Sequence, residues 1–171
     1  MNGPKKSNYS IFLSLGSNIN PEENLPKAVK LLAEAVQIIS ISHAWRTPAV
    51  GSLGPDFLNA AVQIQTGLSP SDMKNKVIQG IESKLGRVRT KNKYSARTID
   101  IDILIVDRDI VENEIWSRVH LATPLSEIAG DITHPETGAT LTEIAQQLSR
   151  SNSIHLQAHL LEKELCHLTN G

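Results

Sequence analysis

The 171-residue chain has one cysteine, Cys166, so no disulfide can form within it and covalent cross-links play no part in holding the fold. No apolar run approaches the roughly 20 residues that a membrane-spanning helix needs. The opening Met1-Asn2-Gly3-Pro4-Lys5-Lys6-Ser7 carries two lysines but lacks the apolar stretch of a secretory signal. Excess charge is missing too: 17 basic residues face 18 acidic ones, for a net charge of -1. That balance excludes a global pull toward nucleic acid or an anionic membrane, so any polyphosphate must be bound by a local cluster of cations. Internal repeats and low-complexity tracts are absent. A one-domain, soluble, cytoplasmic protein is expected, and 40% apolar residues suffice for a core.

Residues 10–15, Ser-Ile-Phe-Leu-Ser-Leu, predict a strand ending at the turn Gly16-Ser17-Asn18. Asn20-Pro21-Glu22-Glu23 opens a helix, with Asn20 as cap, proline in the first turn and acids where the dipole favours them. Leu25, Val29, Leu32 and Val36 form its buried stripe. Residues 38–46 predict a second strand, 47–55 a Gly/Pro-broken loop, and 57–66 a third strand. In that strand Leu58, Ala60, Val62 and Ile64 oppose Phe57, Asn59, Ala61, Gln63 and Gln65. Ser69-Pro70-Ser71-Asp72 starts a second helix with Met73, Val77, Ile81 and Leu85 on its apolar face and Gly86 as its stop. A basic loop, 87–97, leads into a fourth strand, 98–106. The order β-α-β-β-α-β predicts an α+β fold of the ferredoxin-like kind: a four-stranded antiparallel sheet, both helices on one face, the other face open or partly covered. Further on, 109–115 is expected to add a strand, 140–149 a helix, and 151–171 an amphipathic helical tail with Leu156, Leu160 and Leu161 on its stripe.

The fourth strand carries the chemistry. In Ile99-Asp100-Ile101-Asp102-Ile103 the isoleucines share one face and the two acids the other. Like charges about 7 Å apart along a strand repel unless something positive lies between them. Magnesium does this, being held by one or two carboxylates plus substrate phosphates; a solvated face with two stray acids also fits the bare pattern. Just before it, Arg87 to Arg97 holds five cations in eleven residues and no acid. Cations beside two metal-binding acids suit a polyphosphate, although a basic loop can also be merely solvated. On the third strand Phe57 and Asn59 share a face, an aromatic beside an amide, which suits a flat hydrogen-bonding heterocycle; Phe57 could equally cap the core.

The chain resembles the 6-hydroxymethyl-7,8-dihydropterin pyrophosphokinases (HPPK) of folate biosynthesis. The resemblance runs through Leu15-Gly16-Ser17-Asn18, Arg46-Thr47-Pro48, Asp56-Phe57-Leu58-Asn59-Ala60-Ala61-Val62, Gly86-Arg87-Val88-Arg89, Arg97-Thr98-Ile99-Asp100-Ile101-Asp102-Ile103, Pro124-Leu125-Ser126-Glu127-Ile128-Ala129 and His134-Pro135, in the family's order. It implies a pyrophosphokinase domain over 8–150, with 151–171 outside it. It also implies two Mg²⁺ ions on Asp100 and Asp102, ATP as co-substrate, and catalysis by Arg87 and Arg97 together with the two acids. Gln79, Glu82, Arg87, Arg89, Arg97 and Ile103 would hold ATP. Thr47, Val50, Phe57, Asn59, Tyr94 and His120 would hold the pterin, and loops 47–55 and 87–97 would close over the substrates. A monomer or weak oligomer acting on small molecules, with no nucleic-acid or membrane partner, is expected.

The segment 114–123 departs from the family. It is shorter and lacks a histidine-proline pair, so that His120 falls near the position of the second stacking aromatic and Trp116 or Arg118 is left to replace the missing histidine. Ala96 stands where proline is usual. His155, His159, Cys166 and His167 do not make a zinc pattern, and a surface or packing role is expected for them. RNA-binding domains share the element order but stack bases on paired sheet aromatics, which this chain lacks.

Overall fold

The computed structural model describes residues 8–51, 54–88, 90–91 and 95–169, without side chains for 167–169. β1 (Tyr9–Ser17) lies at the centre of an antiparallel sheet between β4 (Phe57–Thr66) and β5 (Asp100–Val106). The sheet runs β6 (Asp109–Ile110), β5, β1, β4, β3 (Ala44–Thr47), β7 (His155–Gln157), and β2 (Gln37–Ile41) also pairs with β4. α1 (Pro21–Ala35) and α3 (Gln79–Lys84) cover one face, with Leu13, Leu15, Leu25, Leu32, Leu58, Ile64, Met73 and Ile99 fully buried there. α4 (Val119–Ala129) and α5 (Leu141–Ser151) lie on the other face, over Phe12, Ala61, Leu104 and Ile105. The two crossover helices thus share one face as expected, and the C-terminal additions cover part of the second.

Several elements differ from expectation. Residues 38–46 are two strands, β2 (Gln37–Ile41) and β3 (Ala44–Thr47), both paired with β4. The break falls where Ser42 Oγ takes the Ala61 N–H at 2.8 Å in place of a ladder acceptor. The second helix begins as α2 (Pro70–Asp72), capped by Ser69 Oγ on the Asp72 N–H at 3.1 Å, and passes through a π-helical segment, Met73–Ile78, into α3. The wider turns rotate the apolar stripe, so that Ile78 is buried and Val77 only partly. Gly86, at φ 75°, ends this rod in the left-handed conformation. Asn20 does not cap by its side chain; it is itself left-handed at φ 42°, and its carbonyl accepts from Glu23 and Asn24.

A bulge in β5 opposite Phe12 and Leu13 turns Ile105 to the second face. The strand expected over 109–115 is only β6 (Asp109–Ile110), followed by a 3-10 turn, Asn113–Trp116. The expected helix over 151–171 is corrected as well: β7 (His155–Gln157) pairs with β3, and among the described residues after α5 it is Glu162–Thr169, α6, that is helical. The turn between them buries Leu161 in the main core. Among the described residues no helix is long and apolar enough to cross a membrane.

Candidate active site

The turn after β1 organises the site. The N–H groups of Asn18 and Ile19 both donate to the Arg97 carbonyl at 3.1 Å, and Asn18 Oδ1 accepts the Arg97 N–H at 2.7 Å. Asn18 Nδ2 reaches the Pro55 carbonyl at 3.3 Å, just before β4, and Ser17 Oγ donates to the Thr98 carbonyl at 2.6 Å. Two buried polar side chains therefore fasten the end of the basic loop to the sheet. Neither side chain is marked as functional by strand or helix periodicity. Their signal was the run of small polar residues directly after an apolar strand, where side chains replace the ladder as hydrogen-bonding partners.

β5 then sends Ile99 and Ile101 into the core and Asp100 and Asp102 to the opposite face. Asp100 is clamped: Arg87 Nη1 lies 2.6 Å from its Oδ1, and Arg97 Nη1 bonds its Oδ2. Arg87 also pairs with Glu82, which is buried and accepts the Ile101 N–H at 3.1 Å. Glu82 thus ties α3 to β5 and holds the inner arginine. Among the described residues Asp102 has no such clamp. Desolvation, and then repulsion from Asp100, raise its pKa from 3.8 to about 6, only partly opposed by Arg87 and Arg97.

A cleft of about 190 Å³ joins these groups to the third-strand residues. Its walls include Thr47, Val50, Phe57, Asn59, Arg97, Asp100, Asp102 and His120, with Ser14, Gly16 and Leu121. Asn59 is buried, and its amide donates to Thr47 Oγ1 at 2.9 Å. A Cβ at Gly16 would stand 3.2 Å from Asn59 Oδ1, so the absence of a side chain there gives the amide its place. Val50 is exposed at the rim. His120 lies in the first turn of α4, where burial and then Arg118 lower its pKa, keeping the imidazole neutral. Trp116 packs edge-on against His134 at 5.1 Å in the second core, and Arg118 pairs with Glu114 at 3.4 Å; neither lines this cleft.

A second cleft, of about 440 Å³, meets the first at Asp102. Pro70, Ser71, Lys74, Ile78, Ile103, Val106, Val111 and Glu112 lie along it. Ile103 falls here as one of the expected nucleotide residues. Ser71 and Lys74 were missed, although with Ile78 they share one side of a helix. Gln79 is exposed at the start of α3 and lines neither cleft. Arg89 and Tyr94 lie outside the described residues.

Asp100 and Asp102 offer a divalent cation hard oxygen donors, and the raised pKa of Asp102 marks a place where positive charge is wanted. No cluster of three or more metal-binding side chains exists among the described residues. The set fits magnesium, which takes few protein carboxylates and completes its shell with phosphate and water.

Comparison with known proteins gives a consistent result. Residues 12–130 match the family described as 7,8-dihydro-6-hydroxymethylpterin-pyrophosphokinase (HPPK). The 2-amino-4-hydroxy-6-hydroxymethyldihydropteridine pyrophosphokinase of Haemophilus influenzae is 32% identical over 157 residues, spanning 85% of this chain and 96% of that protein. The Bacillus subtilis protein of the same name is 35% identical over 144 residues, spanning 77% and 85%. Among solved structures, the Plasmodium falciparum HPPK-DHPS with pteroate superposes with a TM-score of 0.66 at 13% identity, over 84% of this chain and 45% of that one. The last match shows the shared fold, and this chain spans less than half of that longer protein.

Proposed function

We propose that this chain, which belongs to the 7,8-dihydro-6-hydroxymethylpterin-pyrophosphokinase family, transfers the terminal diphosphate of ATP to the hydroxymethyl group of 6-hydroxymethyl-7,8-dihydropterin, releasing AMP, in folate biosynthesis. The observation that carries this reading is the single cleft in which Phe57, Asn59 and Thr47 stand beside Arg97, Asp100 and Asp102. A ring-binding end and a charge-binding end in one cleft suit a reaction that joins a flat heterocycle to a phosphorus atom.

In that reaction the hydroxymethyl oxygen attacks the β-phosphorus, the bond from that phosphorus to the α–β bridging oxygen breaks, and AMP leaves with the bridging oxygen. The hydroxymethyl proton passes to solvent. Asp100 and Asp102 would hold two magnesium ions, which when bound neutralise the polyphosphate and ease loss of the hydroxymethyl proton. Arg97 and Arg87 turn from Asp100 to the phosphates and offset the negative charge that gathers on the leaving oxygen. Phe57, rising from the sheet, and neutral His120, from the helix laid over it, take the faces of the pterin, while Asn59 bonds its edge with the Thr47 hydroxyl fixing the amide. An uncharged imidazole brings no cation against the metals.

The second cleft takes the nucleoside, with Ile103, Lys74 and Ser71 along it, and Asp102 at the junction faces the triphosphate between the two substrates. Gln79, Glu82 and Arg89 support the nucleotide side, and Tyr94 and Val50 close over the pterin. Holding both substrates at the junction supplies much of the acceleration, since alignment removes an entropic barrier. The protein works on small molecules in the cytoplasm as a monomer or weak oligomer, with residues 8–150 as the catalytic domain.

The direct test is to incubate the chain with ATP, magnesium and 6-hydroxymethyl-7,8-dihydropterin and measure AMP. Wild type should form it, and Asp100→Ala and Asp102→Ala should not, while both keep a cooperative melt. AMP formed at the normal rate by either variant would overturn the assignment of the acids.

A further inference from the structure

The break between β2 and β3 leaves the His43 N–H without a partner in the sheet ladder. Glu127, on α4, supplies one. Its Oε2 accepts the His43 N–H at 2.9 Å and lies 2.8 Å from His43 Nδ1, while its Oε1 accepts Trp45 Nε1 at 2.5 Å. One carboxylate therefore fastens the helix to the first residues of the strand, using both oxygens.

What lies on either side gives the contact its meaning. On the strand, Trp45 is registered opposite Asn59, and Thr47 opposite Phe57. In an antiparallel pair, residues directly opposite share a face and stand side by side. β3 is thus the rail that sets Asn59 and Phe57, and Thr47 holds the Asn59 amide directly. On the helix, His120 precedes Glu127 by seven residues, two turns, so both lie on one side of α4 about 10 Å apart. The anchor sits at one end of that side and the cleft wall, His120 and Leu121, at the other.

We infer that Glu127 is a positioning residue of the pterin site: it locks α4 to β3 and so sets the spacing between His120 above and Phe57 and Asn59 below. This rests on the function proposed above and assigns a role to a residue that touches neither cleft. The bonds of the anchor go to His43 and Trp45, and Lys74, Ile103 and Val111 on the nucleotide side are not among its partners. Loss of the anchor should loosen the grip on the heterocycle and leave the grip on ATP alone.

The test measures KM for each substrate and calorimetric Kd for 6-hydroxymethylpterin on the full chain, for wild type, Glu127→Ala, Glu127→Gln and Trp45→Phe. Glu127→Ala should raise pterin KM and Kd about tenfold, the size expected for losing hydrogen bonds to a charged acceptor, with ATP KM within about twofold. Glu127→Gln keeps an acceptor oxygen and should fall between, and Trp45→Phe, which removes only the indole bond, should show a smaller rise in the same sense. Equal loss of both substrates, or a fall in melting temperature with pterin Kd unchanged, would reduce Glu127 to a structural fastening and overturn the inference. Should Glu127→Ala fail to fold, Trp45→Phe decides by the same criterion. Wild type that binds pterin but forms no AMP would refute the proposed function instead, leaving the Kd comparison to judge Glu127.

Discussion

Replacing Asp102 by asparagine should abolish AMP formation and at the same time stabilise the ligand-free protein above pH 6. The fold holds this carboxyl at a pKa of about 6 against 3.8 for the free group. Between those values the unfolded chain has released its proton and the folded chain has kept it. For this group, raising pH therefore favours unfolding: its contribution to stability falls from about pH 4 to about pH 6 and is then flat. The difference between the two values, at about 1.4 kcal/mol per unit, would amount to about 3 kcal/mol. The side chain opens onto the cleft, so solvent screening reduces this to about 1 kcal/mol.

Asparagine keeps the shape and removes the charge. In a chain of this length, about 1 kcal/mol corresponds to a rise of roughly 2–4 °C in melting temperature. The assay is thermal unfolding of wild type and Asp102→Asn from pH 4.5 to 8 in chelator, alongside AMP formation at pH 7.5. The variant should gain over wild type as pH rises and plateau near pH 6. A variant that melts lower than wild type at pH 8, or a difference that does not change with pH, would refute the reasoning, because desolvation and the neighbouring Asp100 would then not oppose its charge.

Arg97→Ala should lower kcat by about a thousandfold, the scale for removing a charge-stabilising donor, with a much smaller change in pterin KM; steady-state kinetics in both substrates separates the two. Gly16→Ala places a methyl group 3.2 Å from Asn59 Oδ1, so pterin KM should rise several-fold with ATP KM unchanged, and a crystal structure should show the amide displaced. Thr140 caps α5, its Oγ1 accepting the Glu143 N–H at 3.2 Å. Thr140→Ala should cost about 1 kcal/mol in a denaturant melt and leave kinetics untouched, since neither cleft includes that helix end.

The parts of the fold legible in the sequence are those in which local pattern and burial agree. β1, β4 and β5 form where their apolar runs predict them, Asp100 and Asp102 separate from Ile99 and Ile101 by strand alternation alone, and Ser69 caps as its position predicts. The missed features are settled by partners distant in sequence. Residues 37–47 are strand-forming throughout, and what interrupts them is Ser42 meeting Ala61 and His43 meeting Glu127. The tail has helical spacing, yet the open edge of β3 offers a ladder to residues 155–157 that outweighs it. At the site, strand alternation placed Phe57 and Asn59 correctly on the second face, but burial of Asn59 required α4, whose path across the sheet no local pattern announces.

The clamp on Asp100 sets the terms on which this site would meet its ligands. Both of its oxygens are committed to Arg87 and Arg97, which in the proposed function would bind the polyphosphate, while Asp100 would be needed by a divalent cation. The opposite charges of Asp100, Arg87 and Arg97 neutralise one another beside the cleft. Under the proposed function, binding would be an exchange in which carboxylate passes to metal and guanidinium to phosphate, with little new charge desolvated. Asp100→Asn should break this symmetry. It weakens the hold of residue 100 on both arginines, Arg87 keeping its pair with Glu82, and removes a proposed metal ligand, so ATP in chelator should bind the variant more tightly than wild type, even as AMP formation with magnesium disappears. Calorimetry with and without chelator reads both halves. Weaker metal-free binding in the variant would mean that the arginines were not held back by Asp100, and the exchange would have to be abandoned.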